Sequence, residues 1–235
     1  MHKRVDGLDI VKGFALLLMV TYHFTYDLNH FHLIHVNIDN GSPFLISRYL
    51  IMSLFILSVG MSLALAHTPT IHWRSLKKRV LILGGASTLV TLATSMVFPN
   101  SWIYFGILHF ILVASFLALP FLPYPKVSLI TATLILLASA TKILSMQPLF
   151  ELLQPIFNLP YYTEDLISLV PWFALVLLGM AMVQYQLHLK LFALPLFSEK
   201  FALNRGLKFM GQHSLLIYLV HQPLLFGGFM LFLKS

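Results

Sequence analysis

Apolar residues in this chain come in long stretches separated by short polar connections. Runs near residues 8–28, 44–66, 79–98, 102–122, 127–145, 165–187 and 212–233 are each long enough to cross a hydrocarbon core of about 30 Å as a helix. The connections leave no room for a soluble domain. The pattern predicts an all-α, polytopic transmembrane helix bundle of about seven spans, forming a single integral-membrane domain over residues 1–235. Met146 to Tyr162 carries Pro148, Pro155, Pro160 and Glu151, so it reads as a loop or interfacial segment and not as an eighth span. Leu189 to Leu207, with Lys190, Pro195, Glu199, Lys200 and Arg205, reads as a loop lying on the cytoplasmic surface.

Composition agrees with the pattern, since 58% apolar and 10% charged residues exclude an ordinary soluble domain. Lys and Arg collect on alternate connections. Lys3 and Arg4, then Arg74, Lys77, Lys78 and Arg79, then Lys126, then Lys190, Lys200, Arg205 and Lys208 mark one side of the membrane. Only Arg48, Lys142 and Lys234 mark the other. The positive-inside rule therefore predicts a cytoplasmic N-terminus and an external C-terminus. Topology accounts for the net charge of +7, and no basic soluble domain exists to bind nucleic acid. The absence of cysteine removes disulfides, thiolate chemistry and thiolate metal sites. The first run is over-long for a signal peptide, contains Lys12 and lacks a small-residue cleavage pattern, so it is expected to be retained.

Ionisable groups within the runs are costly in lipid and ask for a reason. Lys12 and His23 lie within about 20° of one another around a helix and about 16 Å apart along its axis. Lys12 sits one turn inside the cytoplasmic end, where it can snorkel to water or meet an anion. His23 lies deeper, and Asp27 at i+4 shares its face, where a carboxylate can hold an imidazole in one tautomer as a general base. His109, in Trp102-Ile-Tyr-Phe-Gly-Ile-Leu-His109, falls at a depth close to that of His23. Trp102 and Tyr104 suit interfacial anchoring. In the last run, His221 and Gln222 adjoin Pro223, which frees the carbonyl of Leu219. Such a break survives in lipid where protein or cavity water satisfies the backbone, so His221, Gln222, Tyr218 and Arg48 are candidate cavity-lining residues, with a plain structural kink as the alternative. His213 lies at the cytoplasmic end of that run. Arg79 and Lys78 are topology determinants that are also available to hold phosphates. Arg48, Glu164 and Asp165 read as solvated surface charges, with an external charged rim as the alternative. No metal site is expected.

Taken in order, Arg4-x4-Asp9-x2-Lys12-Gly13, His23-Phe24 with Asp27, Phe105-Gly-Ile-Leu-His109, Pro171-Trp-Phe and Gly211-x-His213-Ser-Leu-x-Ile-Tyr218-x2-His221-Gln-Pro resemble the bacterial DUF1624 membrane proteins. That group is related to the catalytic domain of heparan-α-glucosaminide N-acetyltransferase and to the wider transmembrane acyltransferases. The resemblance covers most of the chain. It implies transfer of an acyl group, usually acetyl, from cytosolic acyl-CoA to an acceptor at the far side of a bacterial inner membrane. By resemblance His23 is the catalytic histidine and Lys12 part of the coenzyme path; Lys12 stands where many relatives have Arg, which gives up bidentate phosphate geometry.

The chemistry fits this frame. His23, with Asp27 and His109, would form the catalytic group, and Lys12, Arg79, Lys78 and His213 would bind acetyl-CoA, the acyl-donor substrate. The pantetheine arm is on the order of 15–20 Å long, comparable to the rise between Lys12 and His23. The acceptor would be the hydroxyl or amine of an external glycan or other small molecule. Direct transfer and a covalent acyl-histidine both remain open. The remaining partners are membrane lipid and, because many membrane acyltransferases have more spans, a second copy of the chain in a homodimer. The alternatives are a proton-coupled transporter or channel, for which no internal repeat is found, a b-type cytochrome with His23 and His109 as axial ligands, and a purely structural subunit.

Overall fold

The computed structural model describes residues 4–37 and 42–234, and among these the chain is all-helical. Ten α-helices follow in order: α1 Asp6–His30, α2 Pro43–His67, α3 Trp73–Val97, α4 Ile107–Leu117, α5 Pro125–Ala140, α6 Gln147–Phe157, α7 Leu169–Gln184, α8 Leu187–Phe192, α9 Ala202–Gln212 and α10 Ser214–Lys234. Each of the seven apolar runs contains one helix. Four of them, α1, α2, α3 and α10, are long and apolar enough to cross a membrane unaided. The other three are shorter: α4 has 11 residues and α5 and α7 have 16 each, giving rises of about 16 and 24 Å. Large apolar side chains stand exposed along the spans, including Leu81, Leu92 and Met96 of α3 and Leu224, Leu231 and Phe232 of α10. In an integral membrane protein these are the surfaces that acyl chains cover.

The connection after α5 resolves into a helix. With 11 residues α6 rises only about 16 Å, and none of its side chains is buried. Leu149, Leu152 and Ile156 recur at three- and four-residue spacing on one exposed face. Asn158 ends the helix in the left-handed conformation, its N–H bonded to the Gln154 carbonyl. The stretch from Leu189 to Leu207 differs from the surface loop its charges suggest. It contains most of α8, a 3-10 turn at Pro195–Phe197 and the start of α9, and α9 packs along α1.

The chain divides into two compact units, residues 4–58 with 188–234, and residues 59–187. In the first unit, the contact of α1 with α9 is closer than side chains allow. A Cβ on Gly13 would strike the Leu207 carbonyl, and one on Gly211 the Asp9 carbonyl. Small residues thus let two backbones touch, the usual device where lipid supplies no hydrophobic drive between helices. Ion pairs close one end of this contact: Arg4 Nε lies 2.6 Å from Asp9 Oδ2, and Lys208 Nζ bridges Asp6 at 2.8 Å and Glu199 at 2.6 Å. Hydrogen bonding to Asp6, and then to Glu199, raises the Lys208 ammonium above its ordinary value. Above these pairs, Leu16 and Met19 of α1 meet Ile51 of α2, with Ile217 and Tyr218 of α10 packed against them.

In the second unit, the latter half of α2 meets α7, where Gly60 admits the Val176 carbonyl. Met61, Leu63, Val176, Leu177 and Met180 are buried there. A strap joins the connections that precede α4 and α7. Glu164 N–H donates to the Ser101 carbonyl at 3.0 Å, Ile167 N–H donates to the Phe105 carbonyl at 3.1 Å, and Phe105 and Leu166 form an isolated parallel bridge. Asp165 Oδ2 then accepts from Ile107 N–H at 3.1 Å, which caps α4. Asp165 is therefore a helix cap, whereas Glu164 stays exposed at the rim and accepts from Ser101 Oγ at 2.6 Å.

Candidate functional site

In the first unit a polar seam runs between α1 and α10. His23 and Asp27 lie one helical turn apart on α1, and His221 and Gln222 are neighbours on α10. The rings of His23 and His221 meet edge to face with centroids 5.0 Å apart and planes at 62°. Asp27 is fully buried, and its Oδ1 accepts from Gln222 Nε2 at 2.9 Å. No hydrogen bond joins Asp27 to His23 among the described residues, so the carboxylate binds across the seam instead of along its own helix. Tyr22, beside His23, stacks on Phe44 of α2 at 4.1 Å, and the Arg48 guanidinium acts electrostatically on both Tyr22 and His23.

Hydrogen-bond bookkeeping assigns the His221 proton. Its Nδ1 lies 2.6 Å from the Tyr218 carbonyl, and a carbonyl can only accept. Nδ1 therefore carries the hydrogen, and in the neutral ring Nε2 presents a lone pair. Among the described residues that Nε2 has no partner, and neither do Asp27 Oδ2 or Gln222 Oε1. Because Asp27 accepts from Gln222, the amide nitrogen is the end that faces the carboxylate and the amide oxygen is the end left open. The seam thus holds three buried acceptors and lacks donors. Buried polar groups in folded proteins are normally paired, so this is a place for a ligand or water that brings hydrogens.

The remaining cations and histidines sit as follows. Lys12 is half-buried on α1, three turns before His23. His213 is exposed at the end of α9, its Nδ1 2.9 Å from the Phe209 carbonyl and its ring on Phe209 at 4.4 Å. That is a helix-end contact. Tyr218 contributes its carbonyl to His221 and its side chain to the apolar packing around Leu16 and Met19. A cavity of about 190 Å³ lies between α1 and α2, lined by Thr21, Tyr22, Thr25 and Ser47 among others, whereas the larger one of about 400 Å³ is a groove at residues 192–201 remote from this chemistry. No cluster of three His, Cys, Asp or Glu suited to a metal occurs among the described residues.

In the second unit, His109 occupies the first turn of α4, positioned by the Asp165 cap. Thr91 of α3 donates its one hydroxyl proton to the Ile103 carbonyl at 2.8 Å, so toward His109 Nε2, 3.1 Å away, it can only accept. His109 is thereby held as the Nε2–H tautomer with a bare Nδ1, which has no partner among the described residues. Arg79 Nε donates to Ser115 Oγ at 3.2 Å, and no carboxylate pairs with it among the described residues. Lys78, its neighbour, is exposed. A guanidinium set against a neutral hydroxyl in an apolar helix pair retains the charge and the spare donors that an anion needs. Thr91 and Ser115 escaped the sequence reading because hydroxyls in apolar helices usually bond back to their own helix and carry no signal of a partner.

A family model described as heparan-α-glucosaminide N-acetyltransferase, catalytic, matches residues 4–223, a span that takes in every residue of the seam. No curated protein and no solved structure matches the chain.

Proposed function

The chain belongs to the heparan-α-glucosaminide N-acetyltransferase catalytic family, and from that premise we propose that it transfers acetyl from cytosolic acetyl-CoA to a hydroxyl or amine acceptor, a sugar or glycan, on the far side of the membrane. The observation that carries this reading is the seam of unpaired buried acceptors beside His23. Hydroxyls and amines are the acceptor groups of acyl transfer, and both bring the hydrogens that Asp27 Oδ2, Gln222 Oε1 and His221 Nε2 lack. His23 is the general base. It takes the proton of the acceptor as the heteroatom attacks the thioester carbonyl, and returns it to the departing thiolate.

Lys12 supports the other end of the reaction. It lies on the same face as His23 at about the length of a pantetheine arm, so a coenzyme held by its phosphates at Lys12 need not carry its nucleotide across the bilayer. The basic residues on alternate connections support the matching orientation, with Lys12 toward the cytoplasm. In the second unit, Arg79 has the chemistry of an anion contact in its own right.

Purified protein tests the reading. Acetyl-CoA binding is measured by calorimetry, and turnover as acetylation of a soluble α-glucosaminide together with release of free CoA thiol. His23→Ala is expected to abolish turnover with binding kept within about 3-fold, a loss in the range of 10²–10⁴ for a removed general base. Lys12→Ala is expected to weaken binding about 10-fold, the value of one charge-assisted contact. Native rates in both variants would show that these roles are wrongly assigned.

A further inference from the structure

Resting on that reading, we propose that His221 is the positioning partner of His23, the residue that orients its imidazole and stabilises it while it holds the acceptor's proton. Spacing along α1 offers that task to Asp27, but the geometry gives it to the facing helix. Asp27 spends Oδ1 on Gln222 and makes no bond to His23. From the facing helix, the ring in contact with His23 is His221, at 5.0 Å between centroids.

Three features prepare His221 for this. The Tyr218 carbonyl fixes the proton on Nδ1, so the nitrogen left over is an acceptor. That Nε2 is buried and unpaired among the described residues. Gln222, the next residue, is bonded to Asp27 of α1, and this pins the rotation of α10 at the position where His221 meets His23. A neutral His23 has one N–H, and an imidazolium has two. The nitrogen of His23 that takes the acceptor's proton faces the acceptor, so its other nitrogen keeps the N–H that can turn to the lone pair of His221; that bond, not made in this structure, is stronger to an imidazolium than to a neutral ring. An interaction that strengthens as charge develops accelerates the chemical step, whereas one of constant strength does not.

Protons and bonds balance without a contribution from His221 itself. The acceptor's X–H proton passes to His23, the X–C bond to the thioester carbonyl carbon forms, the C–S bond breaks, and the proton passes from His23 to the thiolate sulfur. His221 accepts a hydrogen bond during the interval and returns to its starting state.

Two isosteric replacements separate this role from a structural one, because they keep opposite nitrogens. His221→Asn places an amide nitrogen near the position of Nδ1, preserving the bond to Tyr218 and removing the Nε2 acceptor. His221→Gln reaches the Nε2 position with a carbonyl oxygen and gives up Tyr218. With acetyl-CoA and a soluble α-glucosaminide as probes, the proposal expects kcat to fall on the order of 10²-fold in His221→Asn, the lower end for a group assisting acid–base catalysis, with KM for acetyl-CoA within about 3-fold. His221→Gln should exceed His221→Asn at least about 10-fold, the discrimination expected of one retained charge-assisted bond. A residue that served only to pack and cap would give the reverse order, and equal or better turnover in His221→Asn overturns the proposal. If His221→Gln fails to elute as folded protein, His221→Ala replaces it: added imidazole restores turnover under the proposal, and an absence of rescue refutes it. Loss of turnover in His23→Ala with an unaffected His221→Asn removes this inference alone. An active His23→Ala removes the base assignment on which this inference rests, and wild-type protein that acetylates no acceptor removes the acetyl-transfer reading beneath it.

Discussion

Replacing Gln222 by Leu removes the one hydrogen-bond donor that Asp27 has among the described residues and leaves both oxygens of a fully buried carboxylate unpaired. A hydrogen bond to a charged group contributes about 1.5–3 kcal/mol in soluble proteins. Bonds between transmembrane helices average nearer 0.6 kcal/mol and reach about 1.7, because a helix separated within the bilayer still finds partners. Asp27 is charged when ionised and wholly enclosed by protein, so the upper part of the membrane range applies, about 1.5–1.7 kcal/mol. At about 2–4 °C per kcal/mol for a chain of this size, the thermal midpoint in detergent should fall by about 3–7 °C. Asp27→Leu strands the Gln222 amide in the same way and should also destabilise. The double variant Asp27→Leu with Gln222→Leu removes both polar groups and should be more stable than the two single losses added together, with a coupling of about 1 kcal/mol or more. A Gln222→Leu midpoint within about 1 °C of wild type, or strict additivity in the cycle, would show that the bond does not hold α1 to α10.

Two further outcomes follow from the packing and the charge pattern. Gly13→Ala has no room for its methyl against the Leu207 backbone and should cost about 1–3 kcal/mol as overpacking, whereas Gly85→Ala, with nothing within 4 Å of the added carbon, should be neutral or gain up to about 1 kcal/mol of helix propensity; equal midpoints for the two would contradict the close approach of α1 and α9. The cysteine-free chain allows sidedness to be read directly: with an impermeant thiol reagent, Tyr162→Cys should label in intact cells and Ser75→Cys only after the membrane is opened, and labelling of both from one side would overturn the orientation.

Local periodicity made the helices legible, and it failed where partners come from far along the chain. Each long apolar run became a helix because uninterrupted apolar sequence in lipid must satisfy its own backbone. The run at residues 102–122 yields only the short α4, because the Asp165 cap at Ile107 starts the helix late, and Asp165 lies 58 residues further on. The same limit governs the site. Spacing placed Asp27 on the face of His23, which is correct for an isolated helix, but the Asp27 carboxylate finds its donor 195 residues away in Gln222. His221 was visible as a polar interruption beside Pro223. Its base-ready nitrogen was not, since that depends on which ring atom the Tyr218 carbonyl engages. On α9, the charges suggested a surface loop, whereas the backbone contacts at Gly13 and Gly211 dock it as a helix.

The space between Lys12 and His23 carries a consequence for how a coenzyme arm could reach the seam. Leu16 and Met19 lie between them within about 40° of the same face, and both are buried in the apolar cluster with Ile51, Ile217 and Tyr218. In this structure the face is therefore packed shut and not open as a channel. A membrane protein gains from that arrangement, because a standing polar path of about 16 Å lined by a lysine and two histidines would conduct water and protons. An arm following this face has to displace Met19, whose unbranched and polarizable side chain is suited to re-pack around an inserted chain. In the acetyl-transfer reading, an arm on this face would reach His23 by parting that cluster.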